Sequence, residues 1–271
     1  MTLFDMSLLD MLLIGGGAFA AGAVNAIAGG GTFFSFPALL MIGIPPVVAN
    51  ASNSVAQWPG SLTGAWAYRR ELVPYKRYLL PMGAASLLGG VAGGLLLLSA
   101  GDARFSALIP WLLAFATLLF AFSPQLAATL KHLRARHGQV KPQVAAEECH
   151  GSGSPAGWLV QLLVSIYGGF FGAGMGILMM ASLAIGGHED VQHINALKNL
   201  LSAVVYSITV ATFVVAGAVS WPHTLVMVLT ASLGGYLGAR MARNIRGPWL
   251  RRMVIAVGTV LTLYYFSKTL G

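Results

Sequence analysis

Long apolar runs separated by short polar breaks organise the chain. The first run covers residues 11–43, is interrupted by Gly29-Gly30-Gly31 and stops at Pro45-Pro46. As one helix it would be about 50 Å long, at 1.5 Å per residue. That exceeds an untilted crossing of a hydrocarbon core about 30 Å thick, yet falls short of two crossings and a turn. Three glycines in mid-run break a helix. The pattern predicts a hairpin that dips into a bilayer and returns, its apex near the centre. Full spans are expected at 47–68, 78–99 and 105–123. Residues 125–155 then carry Lys131, Arg134, Arg136, Lys141, Glu147, Glu148 and Gly-Ser-Gly-Ser-Pro, the composition of a solvated linker. The opening pattern returns at 156–186, broken at Gly172-Ala-Gly174-Met-Gly176, and spans at 194–218, 222–239 and 253–267 follow.

Polar residues inside these runs are few and periodic. Asn195, Lys198, Asn199, Ser202 and Tyr206 fall at helical spacing on one face, in a segment otherwise made of Leu, Val, Ala and Ile. An ammonium there must face protein or water, because a charge in hydrocarbon is costly. Asn50, Asn53, Ser54, Gln57 and Ser61 form a matching stripe in the first half.

The two halves align at a constant offset. Adding 143 takes Gly29 and Gly31 to Gly172 and Gly174; adding 145 takes Gly89, Gly90 and Gly93 to Gly234, Gly235 and Gly238. The offset of 145 also takes Asn50, Asn53, Ser54, Gln57 and Ser61 to Asn195, Lys198, Asn199, Ser202 and Tyr206. Ordered matches of this kind point to duplication. The expected units are 1–124, a linker at 125–155, and 156–271. Charge then sets orientation. The loops 69–77, 131–141 and 240–252 hold four, four and five Lys or Arg, thirteen of the sixteen in the chain. They share the cytoplasmic side only if each broken element enters and leaves on one face. The second half is then upside down relative to the first. The expected fold is all-α: a polytopic membrane protein of two inverted-topology repeats. Each repeat is a glycine-broken hairpin plus three full transmembrane helices.

Composition agrees with the membrane class. Of 271 residues 56% are hydrophobic and 9% charged, against about 25% charged in soluble domains. The net charge of +8 lies in short loops, so it reads as membrane orientation and no nucleic-acid partner is expected. The N-terminal stretch, with Asp5 and Asp10 and no Lys or Arg, lacks the n-region of a cleaved signal peptide. The single cysteine, Cys149, excludes an internal disulfide and a cysteine metal site. Nothing requires a cofactor or a metal.

Inverted repeats with helices broken at mid-membrane are how secondary transporters are built. The second arm of each hairpin would aim its free N–H groups and positive dipole end at the apex. Two such ends and Lys198 suit a small anion. The residues expected to bind it are Gly29, Gly30, Gly31, Thr32, Asn50, Asn53, Ser54 and Gln57 from the first half. The second half supplies Gly172, Gly174, Asn195, Lys198, Asn199 and Ser202. The partners are this anion and the lipid bilayer, and a homo-oligomer is compatible with the pattern.

Three segments resemble a known family. Asn25-Ala-Ile-Ala-Gly-Gly-Gly-Thr, Ala49-Asn-Ala-Ser-Asn-Ser-Val and Gly168-Gly-Phe-Phe-Gly-Ala-Gly-Met-Gly, taken in order, are similar to the sulfite exporter TauE/SafE family of bacterial membrane permeases. The resemblance covers nearly the whole chain except the linker. It implies a multi-pass inner-membrane permease for sulfite, a sulfonate or a related organosulfur compound, and a chain that is not an enzyme.

Other readings stay open from the residues alone. A lysine a turn or two inside a span can snorkel to the edge. Asn and Ser stripes also hold helices together. His188, Glu189, Asp190 and His193 read as a solvated turn more readily than as a metal cluster, and Cys149-His150 falls in the linker. An anion channel would share this pattern. A membrane-embedded redox subunit would need His, Cys or carboxylates clustered within spans, and His223 stands alone.

Overall fold

The computed structural model describes residues 6–28, 30–136, 155–185, 191–241 and 247–270. Gly29, Cys149, His150, His188, Glu189, Asp190 and the linker 137–154 lie outside the described residues. Within them every regular element is helical. The order is α1 (Leu8–Ala28), α2 (Thr32–Met41), α3 (Pro46–Ala67), a 3-10 turn (Val73–Tyr75), α4 (Lys76–Arg136), α5 (Pro155–Phe170), α6 (Met175–Ile185), α7 (Val191–Val215), α8 (Trp221–Met241) and α9 (Gly247–Leu270).

Both expected helix breaks are present. Between α5 and α6, Gly172 and Gly174 have φ of +79° and +76°, a region that side chains with a Cβ enter only with strain. The two arms of the first break are unequal. α1 has 21 residues and α2 has 10, so the first arm alone is about 31 Å long, the length of a crossing. α2 runs back along α1. A Cβ on Gly17 would lie 2.8 Å from Ala38, and one on Gly31 would lie 2.5 Å from the Ala21 carbonyl oxygen. α2 thus starts level with Ala21, while α1 continues to Ala28.

α4 is two helices merged at Gly101, whose φ of +69° and ψ of +171° are not helical. Its second arm runs further than the expected span at 105–123, because residues 125–136 of the expected linker continue the helix. Leu126, Ala127, Ala128 and Leu130 are good helix formers, and basic side chains suit the negative end of a helix.

Among the described residues, three stretches combine apolar composition with the length of a crossing: Leu8–Asn25, Leu79–Ser123 and His193–Val215. α3, α8 and α9 have the length, at 22, 21 and 24 residues. α3 differs in composition because its buried face is polar, with Asn50, Ser52, Asn53, Ser54, Gln57 and Ser61 all buried. Those groups face protein and not the surroundings.

Contacts fix the direction of each helix. α1 and α8 run parallel and touch backbone to backbone: Cβ atoms on Gly234 and Gly238 would lie 2.0 Å and 2.8 Å from the carbonyl oxygens of Phe19 and Ala23. The first arm of α4 runs parallel to α5 in the same manner, with Gly89 and Gly93 at 2.6 Å and 2.1 Å from the carbonyl oxygens of Leu162 and Ile166. The two interlocks use corresponding positions of the two halves. By contrast α3 and α7 are antiparallel: Trp58 Nε1 donates to Ser207 Oγ at 2.8 Å, while Gly64 faces Asn199. The second arm of α4 and α9 are also antiparallel, since Trp111 meets Phe266 and Thr117 meets Gly258.

Aromatic packing ties the two breaks together. The rings of Phe36, Phe105, Phe170 and Phe171 pack edge to face, with centroids 5.5–6.2 Å apart. They join α2, the second arm of α4 and the end of α5. Ring pairs in this geometry add to the stability that burial alone gives.

Candidate functional site

The first break is surrounded by a continuous polar network. Ser35 Oγ on α2 donates to Asn53 Oδ1 on α3. Asn53 Nδ2 donates to Thr32 Oγ1 at 3.5 Å, and Gln57 Nε2 to Ser35 Oγ at 3.4 Å. Asn25 Nδ2 on α1 donates to Gln57 Oε1 at 3.4 Å. Thr32, Ser35, Asn53 and Gln57 are all buried. The three amide donors are held at lengths well beyond the usual 2.9–3.0 Å. They are only weakly engaged. Glycine is required at the turn, because a Cβ on Gly31 would sit 3.0 Å from Gln57 Nε2 and one on Gly30 would sit 2.6 Å from the Phe120 ring.

The second break presents charge and bare backbone. Tyr167 donates its hydroxyl to the Ala173 carbonyl. Phe171 and Gly172 donate their N–H groups to the Tyr167 carbonyl, and Met175 donates to that of Gly172. The N–H groups of Ala173 and Gly174, at the entry to α6, reach no acceptor among the described residues. The Lys198 stem lies against the first turn of α6, with its Cδ 3.6 Å from a Cβ position on Gly176. No carboxylate among the described residues pairs with it. The Tyr206 hydroxyl lies 3.5 Å from a Cβ position on Gly172. Ser202 Oγ donates to Met179 Sδ at 3.3 Å.

Asn50 links α3 to this second break. Its Nδ2 donates to the Phe170 carbonyl at 2.9 Å, while its Oδ1 is buried without a partner. A carbonyl only accepts, so the amide nitrogen must face Phe170. Asn50 was expected to bind the anion; one of its two amide N–H groups is engaged by Phe170, and its Oδ1 is an acceptor without a partner. An unsatisfied buried acceptor costs about 1–3 kcal/mol.

The expected site residues therefore separate into groups. Gly30, Gly31, Thr32, Asn53 and Gln57 gather at the first break. Gly172, Gly174, Lys198 and Ser202 gather at the second, with Asn50 reaching across. Ser54 bonds the Asn50 carbonyl on its own helix at 3.0 Å. Asn199 faces Gly64, and Asn195 is half-buried with no hydrogen bond among the described residues. Of the histidines expected in the loop, His193 is on α7 and meets Tyr75 edge to face, with ring centroids 5.2 Å apart.

Four participants lay outside the expected set. Ser35 follows Thr32 by one helical turn, a spacing that signals it. Asn25 stands in the first glycine-broken motif. Tyr167 has no signal beyond its place before Gly168-Gly169. Arg251, expected only as an orientation charge, donates from Nε and Nη2 to the carbonyls of Phe120 and Ala121 at 2.9 Å and 2.6 Å. Pro124 is the cause, because it has no N–H for the Phe120 carbonyl one turn back.

The chain is similar to known membrane proteins along most of its length. The model of the family described as sulfite exporter TauE/SafE matches residues 14–265. A probable membrane transporter protein of Haemophilus influenzae is 29% identical over 251 residues, covering 90% of this chain and 89% of that protein. Probable membrane transporter protein ORF9 of a Sinorhizobium species is 27% identical, over 91% of this chain and 88% of its own. Probable membrane transporter protein YfcA of Escherichia coli K12 is 26% identical, over 90% and 85%. No solved structure matches. With two glycine-broken helix pairs where the motifs stand, and a family match across almost its whole length, the chain is a membrane transporter of the sulfite exporter TauE/SafE family.

Proposed function

We propose that this transporter carries a small oxyanion, sulfite or a sulfonate, across the bacterial inner membrane by alternating access. The observation that carries the reading is Lys198 of α7, whose Cδ lies 3.6 Å from a Cβ position on Gly176 in the first turn of α6, the helix that the unbonded N–H groups of Ala173 and Gly174 precede. An ammonium, two backbone donors and the positive end of a helix make a site for negative charge. The weakly engaged amides of Asn53 and Gln57 offer the solute a second set of donors.

The two halves, 1–124 and 156–271, are related as inverted repeats. Helix directions support this. α3 opposes its counterpart α7, and the second arm of α4 opposes its counterpart α9. The two glycine interlocks exchange partners between halves at matching positions. The basic loops then lie on the cytoplasmic side with the linker.

Uptake of labelled sulfite and taurine into proteoliposomes tests the proposal, with Lys198→Ala as the variant. The variant should stay folded by size exclusion and lose uptake. Undiminished uptake would remove the site. Single-channel currents in planar bilayers would replace the carrier with a channel.

A further inference from the structure

The break between α5 and α6 has a second end, and it carries the opposite polarity. The carbonyls of Gly168, Gly169 and Phe171 accept no hydrogen bond among the described residues. The Phe170 carbonyl is held by Asn50 Nδ2 at 2.9 Å. That bond places Asn50 Oδ1 beside the carbonyl end of α5, 1% exposed as a residue and without a donor. The negative end of the α5 dipole points there. A buried amide oxygen and uncapped carbonyls are all acceptors, so an anion is repelled and a cation is drawn in.

We propose that the carbonyl end of α5 and Asn50 Oδ1 form a site for a monovalent cation that accompanies the transported anion. The oxygens are neutral, and no group of three His, Cys, Asp or Glu occurs among the described residues. Divalent cations are held by carboxylates, so a singly charged ion such as sodium fits this set. Unwound backbone and half-helix carbonyl ends serve cations in other transporter folds. Here four residues, 171–174, separate the carbonyl end of α5 from the N–H end of α6. A cation at one end and an anion at the other would neutralise each other across that segment, so each would favour binding of the second. The coupling rests on the function proposed above; the cation site itself does not.

The test uses the purified full chain in detergent, with chloride constant and sodium replaced stepwise by choline. Sodium should raise the wild-type melting temperature by a few degrees and saturate, as a ligand of the folded state does. Asn50→Ala should lose that rise. Lys198→Ala should keep it while losing anion uptake, so the two proposals fail separately. If Asn50→Ala does not fold, saturable binding of radiolabelled sodium to wild type, competed by sodium and not by choline, decides. Equal melting in sodium and choline, an undiminished rise in Asn50→Ala, or no saturable sodium binding would each overturn the site and leave Asn50 Oδ1 to water.

Discussion

The two helix breaks share a backbone plan and differ in chemistry. Around the first, Thr32 and Ser35 on α2 meet Asn53 and Gln57 on α3 in a neutral, mutually bonded cluster. At the offset of the repeat the second has Met175 and Leu178 on α6, with Lys198 and Ser202 on α7. There the apolar residues leave the backbone N–H groups bare and one ammonium carries the polarity. The glycines that hold the helices in place recur at matching positions, while the side chains at the breaks have diverged. Positions set by backbone contact tolerate no added atoms, whereas positions facing the site are free to change task.

The largest effect should come from the shared frame. A Cβ on Gly93 would sit 2.1 Å from the Ile166 carbonyl oxygen, and one on Gly234 would sit 2.0 Å from that of Phe19. Backbone cannot yield there as a side-chain end can. Gly93→Val and Gly234→Val should each destabilise by more than the ~1–3 kcal/mol usual for overpacking, giving little folded protein on fluorescence size exclusion. Gly16 and Gly60, with nothing within 4 Å of a Cβ, are the controls and should accept alanine. Equal tolerance at both pairs would mean that the interlocks do not hold the halves together.

Next comes the charge that distinguishes the breaks. Lys198→Gln keeps a polar stem beside Gly176 and removes the ammonium. A charged hydrogen bond is worth ~1.5–3 kcal/mol, so anion uptake should fall roughly 10- to 150-fold. Moving the charge across the repeat, as Asn53→Lys with Lys198→Asn, sharpens the point. If the breaks were interchangeable, uptake would return; the bonded cluster at the first break predicts that it does not.

Much of this was legible in the sequence, for reasons that vary by feature. The breaks announced themselves because close-set glycines in mid-run end a helix, and Gly172 and Gly174 do take positive φ. Lys198 was visible because an isolated ammonium stands out against Leu and Val. What stayed hidden depended on which atom of a side chain is free. Nothing in the sequence says that one N–H of Asn50 goes to the Phe170 carbonyl while its oxygen is left without a donor. The end of α4 was hidden because its basic residues resemble a solvated loop, although its Leu and Ala continue the helix to Arg136.

A smaller effect is expected inside the neutral cluster. Ser35→Ala removes the hydroxyl that serves Asn53 Oδ1 and leaves a buried acceptor unpaired. The loss should be about 1–3 kcal/mol, read as a lower melting temperature. Because Asn53 and Gln57 remain, uptake at saturating anion should persist. A variant as stable as wild type would show that water enters this cluster and that it is not closed.

The smallest effect separates two arginines that look alike in the sequence. Arg69 lies over the Trp66 ring at 4.6 Å in an exposed turn; Arg251 holds two carbonyls next to Pro124. Through Phe120, whose ring lies against Gly30, Arg251 supports the first break and has no counterpart contact at the second. Arg251→Ala should cost about 1–2 kcal/mol, since Ser123 Oγ still donates to the Phe120 carbonyl at 3.1 Å and only part of the bonding is lost. Arg69→Ala should change stability by less than about 0.5 kcal/mol. Melting curves of the two variants measured side by side check the difference. If they coincide, the Phe120 carbonyl freed by Pro124 is served by other donors and the first break stands without Arg251.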